Sequence, residues 1–139
     1  MTIYIDSSVL LRYLLQHPGF IDLPQFKENF VSSELLRLEC QRVLIRYRLN
    51  QEVGDPELLE LTEKLNNLLS RISLLKINSE ILEVASQNWG VVLGTLDSIH
   101  LASVLFIRKE LNNRVQLYTH DKALFTAARM SNINAKGAT

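Results

Sequence analysis

The feature that most limits how this chain can fold is a recurring short pattern: a few apolar or β-branched residues stop at a polar group and pass at once into helical periodicity. Ile3-Tyr4-Ile5 ends at Asp6-Ser7-Ser8 and leads into Val9-Leu10-Leu11 and Tyr13-Leu14-Leu15. Phe30-Val31 precedes a helix from Glu34 to about Leu49, with Ser32 and Ser33 as cap candidates. Leu74 to Ile77 is a third strand, before a helix capped by Asn78 or Ser79. Val115 to Thr119 ends at His120-Asp121, Lys122 to Arg129 returns to helix, and Ile133-Asn134-Ala135 is a fifth strand. Strands separated by long helical segments require right-handed crossovers, and hence a parallel sheet covered on both faces. The expected fold class is α/β, a three-layer α/β/α sandwich with a mainly parallel four- or five-stranded sheet, as one domain over residues 1–139.

Two further helices complete the pattern. Asp55-Pro56-Glu57 supplies a cap, a proline at the first helical position and a first-turn acid, opening a helix with Leu58, Leu61, Leu65, Leu68 and Leu69 on one stripe. With the preceding helix it forms a hairpin that can serve as a partner surface. Thr95 is a cap candidate before a buried helix in which Asp97 shares a face with Leu101, Val104 and Leu105.

With 15 basic and 15 acidic residues the formal charge is zero, so no global field draws in polyanions, and such a partner must be held by a local patch or by cations. The single cysteine, Cys40, has no internal partner and fits a buried position in a reducing compartment. Nothing resembles a secretion signal or a membrane span, so a cytoplasmic protein without membrane attachment is expected.

Four carboxylates stand out. Asp6 and Asp121 lie at strand ends, Asp97 in the first turn of a buried helix, and Glu39 between Leu35 and Val43 on an apolar helix face. Each aspartate taken singly is explained as a helix cap or dipole partner. Capping does not explain Glu39, because a mid-helix carboxylate facing the core is costly unless paired or bound to a cation. If the fold gathers all four, an oxygen-only donor set points to Mg²⁺ or Mn²⁺ rather than Zn²⁺.

The segments Ile5-Asp6-Ser7-Ser8-Val9-Leu10, Glu39 within Ser33 to Glu39, Leu96-Asp97-Ser98-Ile99-His100-Leu101-Ala102 and Tyr118-Thr119-His120-Asp121-Lys122 occur in an order that resembles the PIN-domain family. Within it the chain is most similar to the VapC-type ribonuclease toxins of type II toxin–antitoxin pairs. The resemblance implies a Mg²⁺-dependent endoribonuclease with Asp6, Glu39, Asp97 and Asp121 as the catalytic and metal-holding acids. It further implies Ser8 and Thr119 as their polar supports, an RNA substrate, a cognate antitoxin and a homodimer. His120 stands where the family more often has a small polar residue, and a solvated loop histidine is expected there.

The remaining candidates have plainer readings beside the functional ones. Arg42 and Arg46, with Arg37 and Arg48, belong either to a solvated helix face or to an RNA-backbone contact, and Arg12 and Lys122 are weaker candidates of the same kind. His100 is expected to be a packed or hydrogen-bonded helix residue, Trp89 to be core or interface, and Glu34 to be a surface acid. The competing function is a non-catalytic or receiver-like Mg²⁺-binding module. A receiver would want paired acids after its first strand, where Asp6 is followed by serines, and an aspartyl phosphotransferase would want an acid where Ser8 stands.

Overall fold

The computed structural model describes residues 1–25 and 28–137. Residues 26 and 27 of the connection between the first two strands, and 138 and 139 of the expected tail, lie outside that set. Among the described residues the sheet has five strands, all parallel: β1 (Thr2–Ile5), β2 (Asn29–Ser33), β3 (Ile72–Leu75), β4 (Val115–Tyr118) and β5 (Asn134–Lys136), in the order β3-β2-β1-β4-β5. β1 lies in the middle, with Tyr4 beside Val31 on one flank and Leu117 on the other. The chain winds outward from β1 to β2 and β3, then returns to build β4 and β5 on the other side. The carboxyl end of β1 is thus the point where the winding reverses, and in open α/β sheets ligands bind at such points.

Among the described residues six α-helices cover the two faces: α1 (Ser7–Leu14), α2 (Leu35–Leu49), α3 (Asp55–Leu69), α4 (Ser79–Ala85), α5 (Thr95–Glu110) and α6 (Lys122–Met130). Alternation along β1 decides which helices each side holds. Ile3 and Ile5 pack with Leu10 and Leu14 of α1, Leu36, Cys40 and Leu44 of α2, and Leu65 and Leu69 of α3. Tyr4 points the other way, into a core of Leu101 and Val104 from α5, Leu117 from β4, and Leu124 and Ala127 from α6. α4 joins that layer through Ile81, packed with Ile99 and Ala102 of α5.

Several boundaries differ from the expectation. Ser32 and Ser33 belong to β2 and are fully buried. The Ser32 hydroxyl donates to the Ile5 carbonyl at 2.6 Å, and Ser33 Oγ accepts from the Leu35 amide at 3.0 Å. Two hydroxyls satisfied by backbone let polar residues continue a strand that apolar counting ends at Val31. β3 starts two residues earlier than expected, because Ile72 supplies its buried end. α3 and α5 are capped by Gly54 and Gly94 rather than by Asp55 and Thr95. At α3 the Glu57 carboxylate accepts the Gly54 amide at 2.8 Å, which frees Asp55 to meet Arg48 at 2.5 Å. Before β4, Asn112 and Asn113 both adopt left-handed torsions (φ 50 and 68), a conformation asparagine tolerates better than most residues. Cys40 and Trp89 are buried as expected.

Candidate active site

Asp6 leaves β1 in extended conformation and caps α1, its Oδ1 accepting the Val9 amide at 3.2 Å. The same oxygen takes the Ser8 hydroxyl at 2.6 Å, and Oδ2 takes the Thr119 hydroxyl at 2.5 Å. Thr119 stands just past β4, so a strand-end residue from the neighbouring strand closes over the Asp6 carboxylate. Asp6 is only 2 % exposed. Burial raises its pKa above the ordinary range, while the His100 ring and the three hydrogen bonds pull the other way. Both expected polar supports, Ser8 and Thr119, hydrogen-bond to Asp6.

Asp121 repeats the manoeuvre one strand over. It caps α6, with Oδ1 accepting the Leu124 amide at 2.8 Å, and its own amide donates to Thr119 Oγ1 at 3.0 Å. Thr119 therefore ties the two strand-end acids together.

Glu39 is partly buried in the second turn of α2. Its Oε2 accepts the Ser7 hydroxyl at 3.0 Å and its Oε1 lies 2.6 Å from His100 Nε2. Asp97, in the first turn of α5, has no side-chain hydrogen bond among the described residues. Its pKa is pushed up to about 6, first by burial and then by the charges of Asp121, Asp6 and Glu39, with the His100 ring opposing. Four acids from four separate elements thus share one electrostatic neighbourhood at the carboxyl edge of the sheet. They are not drawn to the spacing of a bound ion: among the described residues no three acidic, histidine or cysteine side chains form such a group. The chemistry of the donor set still suits a hard divalent cation, since every oxygen is a carboxylate oxygen and Asp97 has no compensating donor.

The residues that reading the sequence left out of the site are Tyr4, Ser7 and His100. His100 is fully buried, and the Glu39 hydrogen bond and the surrounding acids raise its pKa against the opposing effect of its own burial. Its spacing of three from Asp97 was the available signal; its partner, 61 residues away, was not visible. His120 corrects the expectation of a solvated loop residue. It is 9 % exposed, its Nδ1 lies 2.6 Å from the Gly137 carbonyl, and its amide donates to Ser8 Oγ at 2.9 Å. Gly137 passes close beneath: at φ +97, a Cβ there would lie 3.0 Å from the Thr119 carbonyl oxygen. Burial, then the nearby Arg12 charge, lower the His120 pKa.

Of the basic candidates, Arg42, Arg46 and Lys122 are exposed and Arg12 is partly buried. Arg37 and Arg48 are engaged with α3, at Asn66 (2.9 Å) and Asp55. Glu34 is exposed, but its carboxylate accepts the Ile77 amide at 2.6 Å and so fastens the end of β3. No helix among the described residues is long and apolar enough to cross a membrane.

The chain matches the PIN domain family over residues 3–129. It is 30% identical over 134 residues to Ribonuclease VapC47 of Mycobacterium tuberculosis, covering 91% of this chain and 90% of that protein. Ribonuclease VapC46 of the same species is 27% identical over 131 residues, with the same coverage. Among solved structures, VapBC-1 of nontypeable Haemophilus influenzae aligns with a TM-score of 0.66 at 16% identity, over 99% of this chain and 98% of that one. VapBC2 of Rickettsia felis, crystallised with a DNA fragment from its promoter, aligns at 0.65 with 14% identity, over 98% of both chains. PIN-domain ribonucleases are metal-dependent. The chain belongs to the PIN-domain family.

Proposed function

We propose that this protein is a metal-dependent endoribonuclease that hydrolyses phosphodiester bonds in RNA, and that it is the toxin of a toxin–antitoxin pair. The observation that carries the reading is the shared electrostatic neighbourhood of four carboxylates from four elements at one sheet edge, in which Asp97 has no hydrogen-bond donor of its own among the described residues. Asp6, Glu39, Asp97 and Asp121 are the residues that would hold Mg²⁺, with Mn²⁺ as substitute. A bound divalent cation supplies charge that polarises the phosphodiester and lowers the pKa of an attacking water. Ser8 and Thr119 keep the Asp6 carboxylate turned toward the site. Ser7 does the same for Glu39. Hydrolysis by water needs no nucleophilic side chain.

Binding of the RNA backbone is assigned to exposed cations near the acids. Arg42 and Arg46 follow Glu39 at helical spacing, so a phosphate chain leaving the site can run along α2. Lys122, beside Asp121, and Arg12 extend the patch. The relatives' names and the VapBC neighbours support an antitoxin partner, and the exposed Leu38, Ile45 and Leu49 on α2 offer apolar surface for a protein contact. A homodimer, a cytoplasmic setting and a single nuclease domain complete the reading.

The test is Mg²⁺- or Mn²⁺-dependent cleavage of structured RNAs by the purified protein beside Asp6→Asn and Asp97→Asn. Cleavage that needs the cation and disappears in both variants is expected. Wild-type activity in both would sink the site assignment. Cation-dependent stabilisation with no cleavage of any RNA would favour a non-catalytic metal-binding module.

A further inference from the structure

Glu39 differs from the three aspartates in how it must be held. An aspartate at a strand end is fixed by its short side chain and by the helix it caps, whereas a glutamate on a helix surface has an extra rotatable bond and no backbone partner. The structure supplies that partner from across the sheet. His100 Nε2 lies 2.6 Å from Glu39 Oε1, and on the far side of the ring Nδ1 lies 2.6 Å from the Tyr4 hydroxyl. The two rings meet edge to face, with centroids 5.7 Å apart and planes at 77°. Tyr4 and His100 are both fully buried, so neither trades this contact for water. A carboxylate only accepts, so Nε2 carries the proton donated to Glu39 whether the ring is neutral or charged. In the neutral ring Nδ1 then accepts from Tyr4, and this bond fixes both the tautomer and the plane of the imidazole.

The connection links the elements that carry the site. Tyr4 is two residues before Asp6 on β1, His100 is three residues after Asp97 on α5, and Glu39 is on α2. We propose that His100 is a positioning residue of the nuclease site: backed by Tyr4, it holds the Glu39 carboxylate in the orientation in which that acid serves the cation. This deepens the proposed function and rests on Glu39 being one of the acids that hold the metal. Ser7, at 3.0 Å from Oε2, is the second, weaker constraint on the same group.

The experiment measures Mn²⁺ binding by electron paramagnetic resonance on the purified chain without RNA, in the wild type, Glu39→Gln, His100→Ala, His100→Gln and Tyr4→Phe. Second-sphere partners of metal ligands are typically worth roughly 10–100-fold in affinity. His100→Ala is therefore expected to weaken Mn²⁺ by that factor and to lower kcat in parallel, with KM for RNA little changed. His100→Gln, whose amide can still donate to Glu39, recovers most of the loss, and Tyr4→Phe gives a smaller weakening than His100→Ala. Wild-type Mn²⁺ affinity in a folded His100→Ala overturns the proposal, as does a Gln variant that folds like the wild type yet binds as weakly as Ala. Should His100→Ala fail to fold, Tyr4→Phe decides: weakened Mn²⁺ binding supports the proposal and wild-type binding overturns it. Glu39→Gln separates the two layers of argument. If it binds Mn²⁺ like the wild type, the assignment of Glu39 to the metal fails; if it binds weakly while the His100 and Tyr4 variants do not, only the positioning role fails.

Discussion

At the β1–α1 corner and at the β4–α6 corner the chain makes the same move, ending a strand at an aspartate that caps the next helix, yet the two acids are held differently. Asp6 has both oxygens engaged, by Ser8, Val9 and Thr119, and is buried. Asp121 uses one oxygen for its cap, is partly exposed, and among the described residues takes no hydrogen bond on the other. The difference lies in the neighbours and not in the motif: Thr119 sits between the corners, giving its proton to Asp6 and accepting the amide of Asp121. One corner is a rigid anchor. The other keeps a carboxylate oxygen available.

The largest expected effect compares the acids directly. Asp6→Asn keeps the cap but removes the central charge, and single-turnover RNA cleavage should fall by about a thousandfold, the scale of several kcal/mol of charge stabilisation. Asp121→Asn should lose less, and equal losses would erase the proposed distinction. Next, Thr119→Val strips the donor from Asp6 and the acceptor from the Asp121 amide together. Denaturant unfolding should show a loss of about 2 kcal/mol, because buried polar groups are left unsatisfied. A change near zero would mean that the corners are not coupled through this hydroxyl.

A third prediction concerns Asp97, the acid that feels both corners. Its carboxyl pKa is raised from the ordinary 3.8 to about 6, so between those values the folded chain binds more protons than the unfolded one. Stability of metal-free protein in chelator should therefore fall as pH rises through that window and level off above it. In Asp97→Asn that fall should be smaller, leaving the variant more stable than wild type at neutral pH and close to it at pH 4. Melting curves across the range check this, and parallel profiles would remove Asp97 from the cluster. The smallest effect is Asp121→Ala, which removes a cap and should cost about 1 kcal/mol beyond Asp121→Asn.

How far the sequence revealed this arrangement depends on the range of each interaction. Asp6 and Asp121 were visible because a cap is a local event, written within three residues of the acid, and Asp97 because a first-turn acid heads an apolar helix face. Ser8 and Thr119 came from the family resemblance, and the structure gives them a physical reason in the hydroxyls that hold Asp6. Glu39 was marked by the mismatch between its charge and its apolar stripe, but its partners Ser7 and His100 stand 32 and 61 residues away. Tyr4 looked like an ordinary strand residue, since period-two alternation assigns a face and says nothing about which hydroxyl acceptor waits there. His120 was misjudged for a related reason: its burial comes with Gly137, the residue just past β5, which reaches it only after the sheet is complete. The fold was legible in its order of elements and less so at β2, where buried hydroxyls satisfied by backbone extend the strand beyond its apolar residues.

The strand order β3-β2-β1-β4-β5 also sets when the site can exist during synthesis. β2 follows β1 closely and can pair with it early, but the other neighbour of β1, β4, and the acid that follows it are made only after β3 and α5. A nascent or prematurely terminated chain that stops before Tyr118 carries Asp6, Glu39 and Asp97 but has neither Thr119 to fix the first of them nor Asp121 to complete the set. A chain with this layout cannot assemble its full set of acids until β4 and the residues that follow it have been made.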